Sequence, residues 1–298
     1  MSLADAQSAR RDVRYRALAI APIAIRAVLG VRLRKAFGIL LYHRVAEVPD
    51  SSSVPTHNVT PQRFRTQLEG LLHRGYDAWP LRRVLTHHLA KQPIPRNVFV
   101  VTFDDGFENV YGNAWPVLQD LQVPATVFLA TAFLDSNEPF PFEDWADAGS
   151  DRVGAETWRP LTTEQCEEMI RGGLVEFGAH THTHADFRGR PEAFHDDLVT
   201  SVDVLRRKFG IEDAPFAFPY GRKQPGFAGG ALTEAARRAG VRCALTTEND
   251  MVVPTSDPYD WGRFHVAESD SAATLGAKLD GWYSVTRNLA RRLTGESV

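Results

Sequence analysis

The chain is short of several things, and each shortage removes a class of function. Only two of its 298 residues are cysteine, Cys166 and Cys243. They stand far apart with no CxxC context, so neither a disulfide framework nor a cysteine-based metal site is indicated, and both read as single buried or half-buried thiols. Nothing in this requires an oxidising compartment. An excess of one charge is also missing: the net is −3, which gives no case for nucleic acid as a partner. No apolar run near the start approaches the roughly 20 residues that span a bilayer. ALAIAPIAI, residues 17–25, is interrupted by Pro22 and closed off by Arg26, and no small-residue cleavage site marks it as an export signal. No Gly-rich phosphate loop follows any strand-like segment. Internal repeats and low-complexity tracts are absent.

What remains is ordinary globular composition, 43% hydrophobic and 24% charged, enough for one barrel-sized domain or two smaller ones. The first 36 residues stand apart. Arg10, Arg11, Arg14, Arg16, Arg26, Arg32, Arg34 and Lys35 face only Asp5 and Asp12, leaving the remainder acidic. Residues 1–37 therefore read as a separate basic segment ahead of a domain at 38–298. This segment is either a helix packed on the outside of the domain or a basic amphipathic anchor, with residues 10–36 on a membrane surface. The expected location is the cytoplasm, with contact at the inner membrane. The oligomeric state is left open.

Beyond that segment, strand-like runs alternate with helical patterns. GILLY (38–42), NVFVVTF (97–103) and ATVFLA (125–130) are buried strands. Residues 60–75 carry Phe64, Leu68, Leu71 and Leu72 at helical spacing and stop at Gly75. Residues 131–160 read as a long loop. A Thr-x-x-Glu-type cap opens a helix at 161–173, and further helices are expected at 191–209, 230–240 and within 271–295. The alternation implies an α/β fold with a parallel sheet, and the missing phosphate loop favours a sheet closed into a barrel.

The unusual residues cluster just after four strands: His43 in LYHRV, Asp104 and Asp105 in VTFDDG, three histidines in GAHTHTH (178–184), and Pro219 and Tyr220 in FAFPYG. In an extended strand His180 and His184 would lie roughly 13 Å apart. That is too far to share an ion held at about 2.0–2.1 Å from each nitrogen. If the chain curls there, the two converge and His182 points elsewhere. Two histidines and a distant carboxylate are the ligand count of a catalytic zinc-type site, with one position open. The bland alternative for Asp104-Asp105-Gly106 is a solvated turn, since Asp-Asp-Gly is good turn chemistry. That for His43 is a buried structural histidine.

TFDDG, HTHTH and FAFPYG, in this order, resemble the motifs of the polysaccharide deacetylase family, carbohydrate esterases built on a NodB-type domain. The resemblance runs from about residue 38 to 285. It implies a distorted (β/α) barrel with fewer strands than a regular TIM barrel, and metal-dependent removal of acetyl groups from sugars, usually N-acetyl. It implies Asp105, His180 and His184 as metal ligands, most plausibly for Zn with Co, Ni or Fe as alternatives, and Asp104 as catalytic base. Two departures matter. Many members carry an Arg where this chain has Ala217, so an Arg orienting Asp104 must come from elsewhere; Arg263 in WGRFHV is the candidate. The late Leu-x-His motif that supplies the acid in many members is missing, and His265 is the only late histidine. The LYHRV opening resembles a bacterial subgroup that includes deacetylases of poly-N-acetylglucosamine-type adhesins, where the acid comes from the early strand. His43 is thus favoured over His265.

Tyr220 and Pro219 are expected to present a backbone N–H to the substrate oxyanion, and Trp158 and Trp261 either stack on sugar rings or pack in the core. The expected partner is an acetylated amino-sugar glycan or glycolipid. Alternatives are a hydrolase of cyclic amides or ureides on the same fold, or a non-catalytic glycan-binding barrel.

Overall fold

A computed structural model of the protein describes residues 36–48, 57–142 and 154–282. The basic segment lies outside the described residues except for its last positions, as do the middle of the 131–160 loop and the chain beyond Trp282.

Five- and six-residue runs, mostly apolar, make the four long strands: β1 (Gly38–Tyr42), β5 (Val98–Phe103), β6 (Ala125–Leu129) and β7 (Val175–Ala179). Between and after them lie the short β2 (Arg44–Val45), β3 (Asn58–Val59), β4 (Asp77–Ala78), β8 (Phe216–Ala217), β9 (Ala244–Leu245) and β10 (Phe264–His265). The main sheet runs β10-β1-β5-β6-β7-β8-β9, all parallel, with β4 also pairing to β5. A bridge from Leu245 to Trp261 links the β9 edge to the segment entering β10, so the sheet curls round on itself. This is a distorted (β/α) barrel with fewer strands than a regular TIM barrel.

Helices α1 (Pro61–His73), α2 (Leu81–Leu89), α3 (Trp115–Leu121), α4 (Thr163–Arg171), α5 (Pro191–Phe209), α6 (Gly230–Arg238) and α7 (Ala272–Leu279) connect the strands. Thr60 caps α1 by accepting from the Arg63 N–H, and Thr162 with Gln165 forms a reciprocal capping box on α4. Pro116 sits at the first turn of α3, where a missing N–H costs nothing; the turn before it, Val110–Ala114, is wound as a π-helix. No helix among the described residues is long and apolar enough to cross a membrane.

Strands buried on both faces need a core on each side. Leu40, Phe99, Val101, Phe103, Val127, Leu129 and Phe177 face the surrounding helices. Their alternates Ile39, Val98, Val100 and Phe128 face the barrel interior with Ala217, Leu245 and Trp261, and α2 contributes Leu81, Val84 and Leu85 to this inner cluster. The period of two has a direct consequence. Val98, Val100 and Thr102 point inward, so the next residue on that face is Asp104. In β7, Gly178 pairs with the inward-facing Phe128, so His180 continues the same face. A Cβ on Gly178 would stand 2.6 Å from the Pro215 carbonyl oxygen and 2.7 Å from Phe128 Cδ1; only glycine leaves room for that ring.

Trp261 lies in the core and corrects the sugar-stacking alternative. It is fully buried, its ring edge-on to Phe37 at 5.5 Å and His88 at 5.2 Å.

Candidate metal centre and its surroundings

Asp104 ends the inward face of β5 with its N–H bonded to the Tyr42 carbonyl at 3.0 Å. Its carboxylate is gripped by Arg263, Nη1 to Oδ1 at 2.5 Å and Nη2 to Oδ2 at 2.7 Å, both side chains buried. The guanidinium also donates through Nε to the Thr246 carbonyl at 3.1 Å. This planar, two-point contact fixes the direction of the carboxylate as well as its charge. Burial by itself would raise the Asp104 carboxyl; the charge of Arg263, with His180 and the hydrogen bonds from Arg263, outweighs it and holds the group below the usual carboxylate range.

At Asp105 the chain turns sharply. Its φ is 72° and that of Gly106 is 86°, left-handed conformations that are uncommon for a residue with a Cβ and often found at functional sites. The turn swings Asp105 away from Arg263 and toward the histidines. The Asp105 carbonyl accepts from Ala130 N–H at 3.3 Å, Thr131 N–H bonds to the Thr181 carbonyl at 3.3 Å, and Ala132 N–H to the His182 carbonyl at 2.9 Å. The loops after β5, β6 and β7 are thus laced together.

The GAHTHTH stretch curls as the shared-ion geometry requires, through left-handed residues rather than a helical turn: φ is 63° at Thr181 and 54° at His184. Thr181 Oγ1 accepts from the His184 N–H at 3.1 Å. From α5, Asp197 accepts from the N–H of His182 at 2.5 Å, the N–H of Thr183 at 3.2 Å and the Thr183 hydroxyl at 2.6 Å. The ring of His182 turns aside to Thr131 Oγ1 at 3.0 Å. His180 Nε2 and His184 Nε2 each stand 3.4 Å from Asp105 Oδ1, and one ligand atom from each of these three residues lies within 4.8 Å of the others.

The tautomer at His180 fits a ligand. Its Nδ1 is 2.8 Å from the Ala217 carbonyl oxygen, which can only accept, so Nδ1 carries the hydrogen and Nε2 offers its lone pair toward Asp105. His184 is stacked on Phe142 at 3.9 Å and edge-on to Tyr220 at 5.0 Å. Burial lowers His184 to about 4, with Asp105 opposing. At His180 burial acts the same way, but Asp104 and Asp105 overcome it and raise the group: two buried carboxylates draw a positive charge, as a proton when no cation supplies it. Asp105 itself, despite burial, is held low by the His180 hydrogen bond and the neighbouring imidazoles. Two imidazoles and an ionised carboxylate converging in this way fit a zinc-type ion.

His43 follows β1 directly, and β10 pairs beside β1 with Leu41 opposite His265. The two candidate acids therefore meet, their ring centroids 5.9 Å apart. Between them sits His57, which the sequence reading missed: it stacks on His43 at 4.7 Å and meets His265 edge-on at 4.4 Å. It comes there because β2 and β3 pair in parallel, Arg44 opposite Asn58, with Arg44 N–H bonded to the His57 carbonyl at 3.4 Å. Nothing in the local sequence signals that pairing. Burial lowers His43 to about 3, against the pull of Asp105 and Asp104, and takes His265 well below its ordinary value.

Tyr220, with φ 59°, is 46% exposed at the rim and packs on Phe227 at 4.7 Å, over which Arg188 lies at 4.2 Å. The carbonyl of Pro219, just before it, accepts from Gly221 N–H at 2.6 Å. Among the described residues no hydrogen bond or ring contact joins Trp158 to the Asp and His side chains.

The sequence pattern of the polysaccharide deacetylase family matches residues 91–244, the span that carries Asp104, Asp105, His180 and His184. A poly-β-1,6-N-acetyl-D-glucosamine N-deacetylase of Staphylococcus epidermidis is 26% identical over 263 residues, covering 82% of this chain and 83% of that protein. Among solved structures, the Streptococcus pyogenes deacetylase PplD in complex with acetate superposes with a TM-score of 0.67 at 20% identity, over 82% of this chain and 98% of that one. IcaB from Ammonifex degensii gives 0.65 at 23%, over 83% and 97%. These two likenesses speak to the fold. The family pattern spans more than half of the chain and takes in Asp105, His180 and His184, and on the ground of that span the protein belongs to the polysaccharide deacetylase family.

Proposed function

We propose that the protein is a metal-dependent hydrolase that removes N-acetyl groups from a glycan of N-acetylglucosamine type, leaving a free amine and acetate. The observation that carries this is the convergence of Asp105, His180 and His184 beside an Arg263-held Asp104, at one end of the barrel. The curated relative named for poly-β-1,6-N-acetyl-D-glucosamine supports the substrate class.

Asp105, His180 and His184 would hold the ion, and a donor set of two imidazoles and one carboxylate suits Zn. Bound there, a divalent ion supplies Lewis acidity, bringing the pKa of water toward about 7 and polarising a carbonyl oxygen. Asp104 is the base: it stays ionised and aimed by Arg263, and takes the proton of the attacking water. Arg263 is a positioning residue. His43 is the acid, with His265 as the second candidate in the same cluster. Burial favours neutral His43; as negative charge develops on the substrate it takes up a proton from solvent and hands it to the leaving nitrogen, and the proton that Asp104 took from water returns to solvent as acetate leaves. An amine leaves poorly until protonated, so the step needs such a donor. The Tyr220 N–H is assigned to the oxyanion; one such donor is worth about 3–4 kcal/mol in other enzymes.

The test is acetate release from β-1,6-linked N-acetylglucosamine oligomers by zinc-loaded and chelated protein. Release that depends on the ion supports the reading. Opening of cyclic amides or ureides with no acetate release would replace it, and failure to take up any metal would leave a glycan-binding barrel.

A further inference from the structure

The three histidines His43, His57 and His265 are more than two rival acids and a neighbour. Each offers a ring nitrogen, and the three ligand atoms lie within 4.8 Å of one another. A tetrahedral ion held at about 2.0–2.1 Å from each nitrogen needs separations of about 3.3 Å, which small ring rotations reach. The Nδ1 of His43 is buried and has no hydrogen-bond partner among the described residues. The rings of His57 and His265 already face each other through Nδ1 and Nε2.

The backbone holds the three imidazoles together from three directions. His43 leaves β1, His265 lies in β10 at its side, and His57 enters β3, which pairs with β2. His57 has φ 63°, a left-handed conformation uncommon for a residue with a Cβ, and its ring meets those of His43 and His265. The surrounding charges suit a cation. Arg263 is engaged by Asp104, and Lys278 by Asp270 at 2.7 Å and by the His265 carbonyl at 2.9 Å. Asp105, close enough to act on His43 electrostatically, has no ion pair with Arg or Lys among the described residues.

We propose that His43, His57 and His265 form a second divalent-metal site, distinct from the Asp105-His180-His184 centre, and that filling it inhibits the enzyme. The donor set is three imidazoles, the ligands of a Zn-, Cu- or Ni-type site rather than of Mg or Ca. An ion there occupies the ring lone pair of His43, which then cannot carry the proton for the leaving amine. The inhibitory half rests on the proposed acid role of His43; the binding half does not.

The experiment is zinc binding by equilibrium dialysis and elemental mass spectrometry on the full chain, with His180→Ala and His57→Asn alongside. Asn tolerates the left-handed backbone at position 57, and circular dichroism checks that the variant is folded. The wild type is expected to take two equivalents, and each variant one. Acetate release by the wild type, measured against its own activity at one equivalent, is expected to fall at least ~10-fold as the second equivalent binds, and His57→Asn to escape that fall. A wild type whose single equivalent is lost in His180→Ala, or a His57→Asn protein that binds as many equivalents as the wild type, overturns the site. Loss of the second equivalent in His57→Asn without relief from zinc overturns the inhibition. Failure of the main reading looks different: the His180-dependent equivalent is then the one missing.

Discussion

Asp104 and Asp105 are neighbours in the chain with opposite surroundings, and the roles proposed for them rest on that difference. Asp104 is neutralised in place by a bidentate guanidinium; Asp105, turned through a left-handed residue, faces the imidazoles of His180 and His184 instead. Asp104→Asn should therefore keep zinc at near wild-type stoichiometry and lose at least ~100-fold in rate of acetate release. Full activity in that variant would remove Asp104 as the base. Arg263→Ala tests the other partner. It strips the cation from a buried carboxylate, a change that costs about 3–5 kcal/mol in comparable pairs. Urea denaturation of the variant should show that loss, and a stability within 1 kcal/mol or so of wild type would mean that Asp104 had taken a proton or found water instead. This chain has Ala217 where the resemblance led to an Arg being expected, and the guanidinium that grips Asp104 comes instead from Arg263, the residue just before β10.

Among the elements, the loop after β7 is held by a helix, α5, that supplies none of the three proposed ligands. Asp197 of α5 accepts from two backbone N–H groups and one hydroxyl within His182-Thr183, holding the curl that lets His180 and His184 share a partner. Outer supports of this kind typically cost 10–100-fold in metal affinity when removed. Asp197→Ala is expected to weaken zinc binding by at least ~10-fold in a competitive chelator titration, with the barrel still folded. Unchanged affinity would show that the left-handed turns at Thr181 and His184 hold the curl unaided. Elements of five or six mostly apolar residues, such as β1, β5, β6 and β7, are legible in the sequence because their length and β-branched content outrun other readings. The two-residue strands β2, β3 and β4 are not, since a pair of residues has no periodicity to read.

For the whole molecule, the buried imidazoles set how stability follows pH in the metal-free protein. His184 at about 4 and His43 at about 3 both lie below the ordinary value near 6.5. As pH falls below about 6.5 the unfolded chain takes up protons that these folded sites refuse, so stability drops until about pH 4 and about pH 3 respectively. His180, raised by its carboxylates, acts in the opposite sense: its contribution is complete below about 6.5 and fades as pH climbs through its folded value. Asp104 and Asp105, both lowered, add stability above about pH 3.9 that is lost only as pH passes down through their folded values. Urea midpoints of chelated protein should therefore decline between about pH 6.5 and about pH 4. A flat profile over that range would mean that His184 and His43 are not held neutral.

The order and kind of the chemical residues were decided along the chain. Alternation of apolar residues put Asp104 on the inward face of β5, and TFDDG, GAHTHTH and FAFPYG could be recognised without coordinates, because each is a local pattern at a strand end. What local pattern does not contain is the curl of the sheet. That curl brings Arg263 to Asp104 across 159 residues and His265 to His57 across 208. It also buries Trp261 where a sugar platform was conceivable, and gathers three histidines from three separate strand ends. Such contacts depend on register and closure, which are set by packing of the whole barrel and not by the propensity of any one segment.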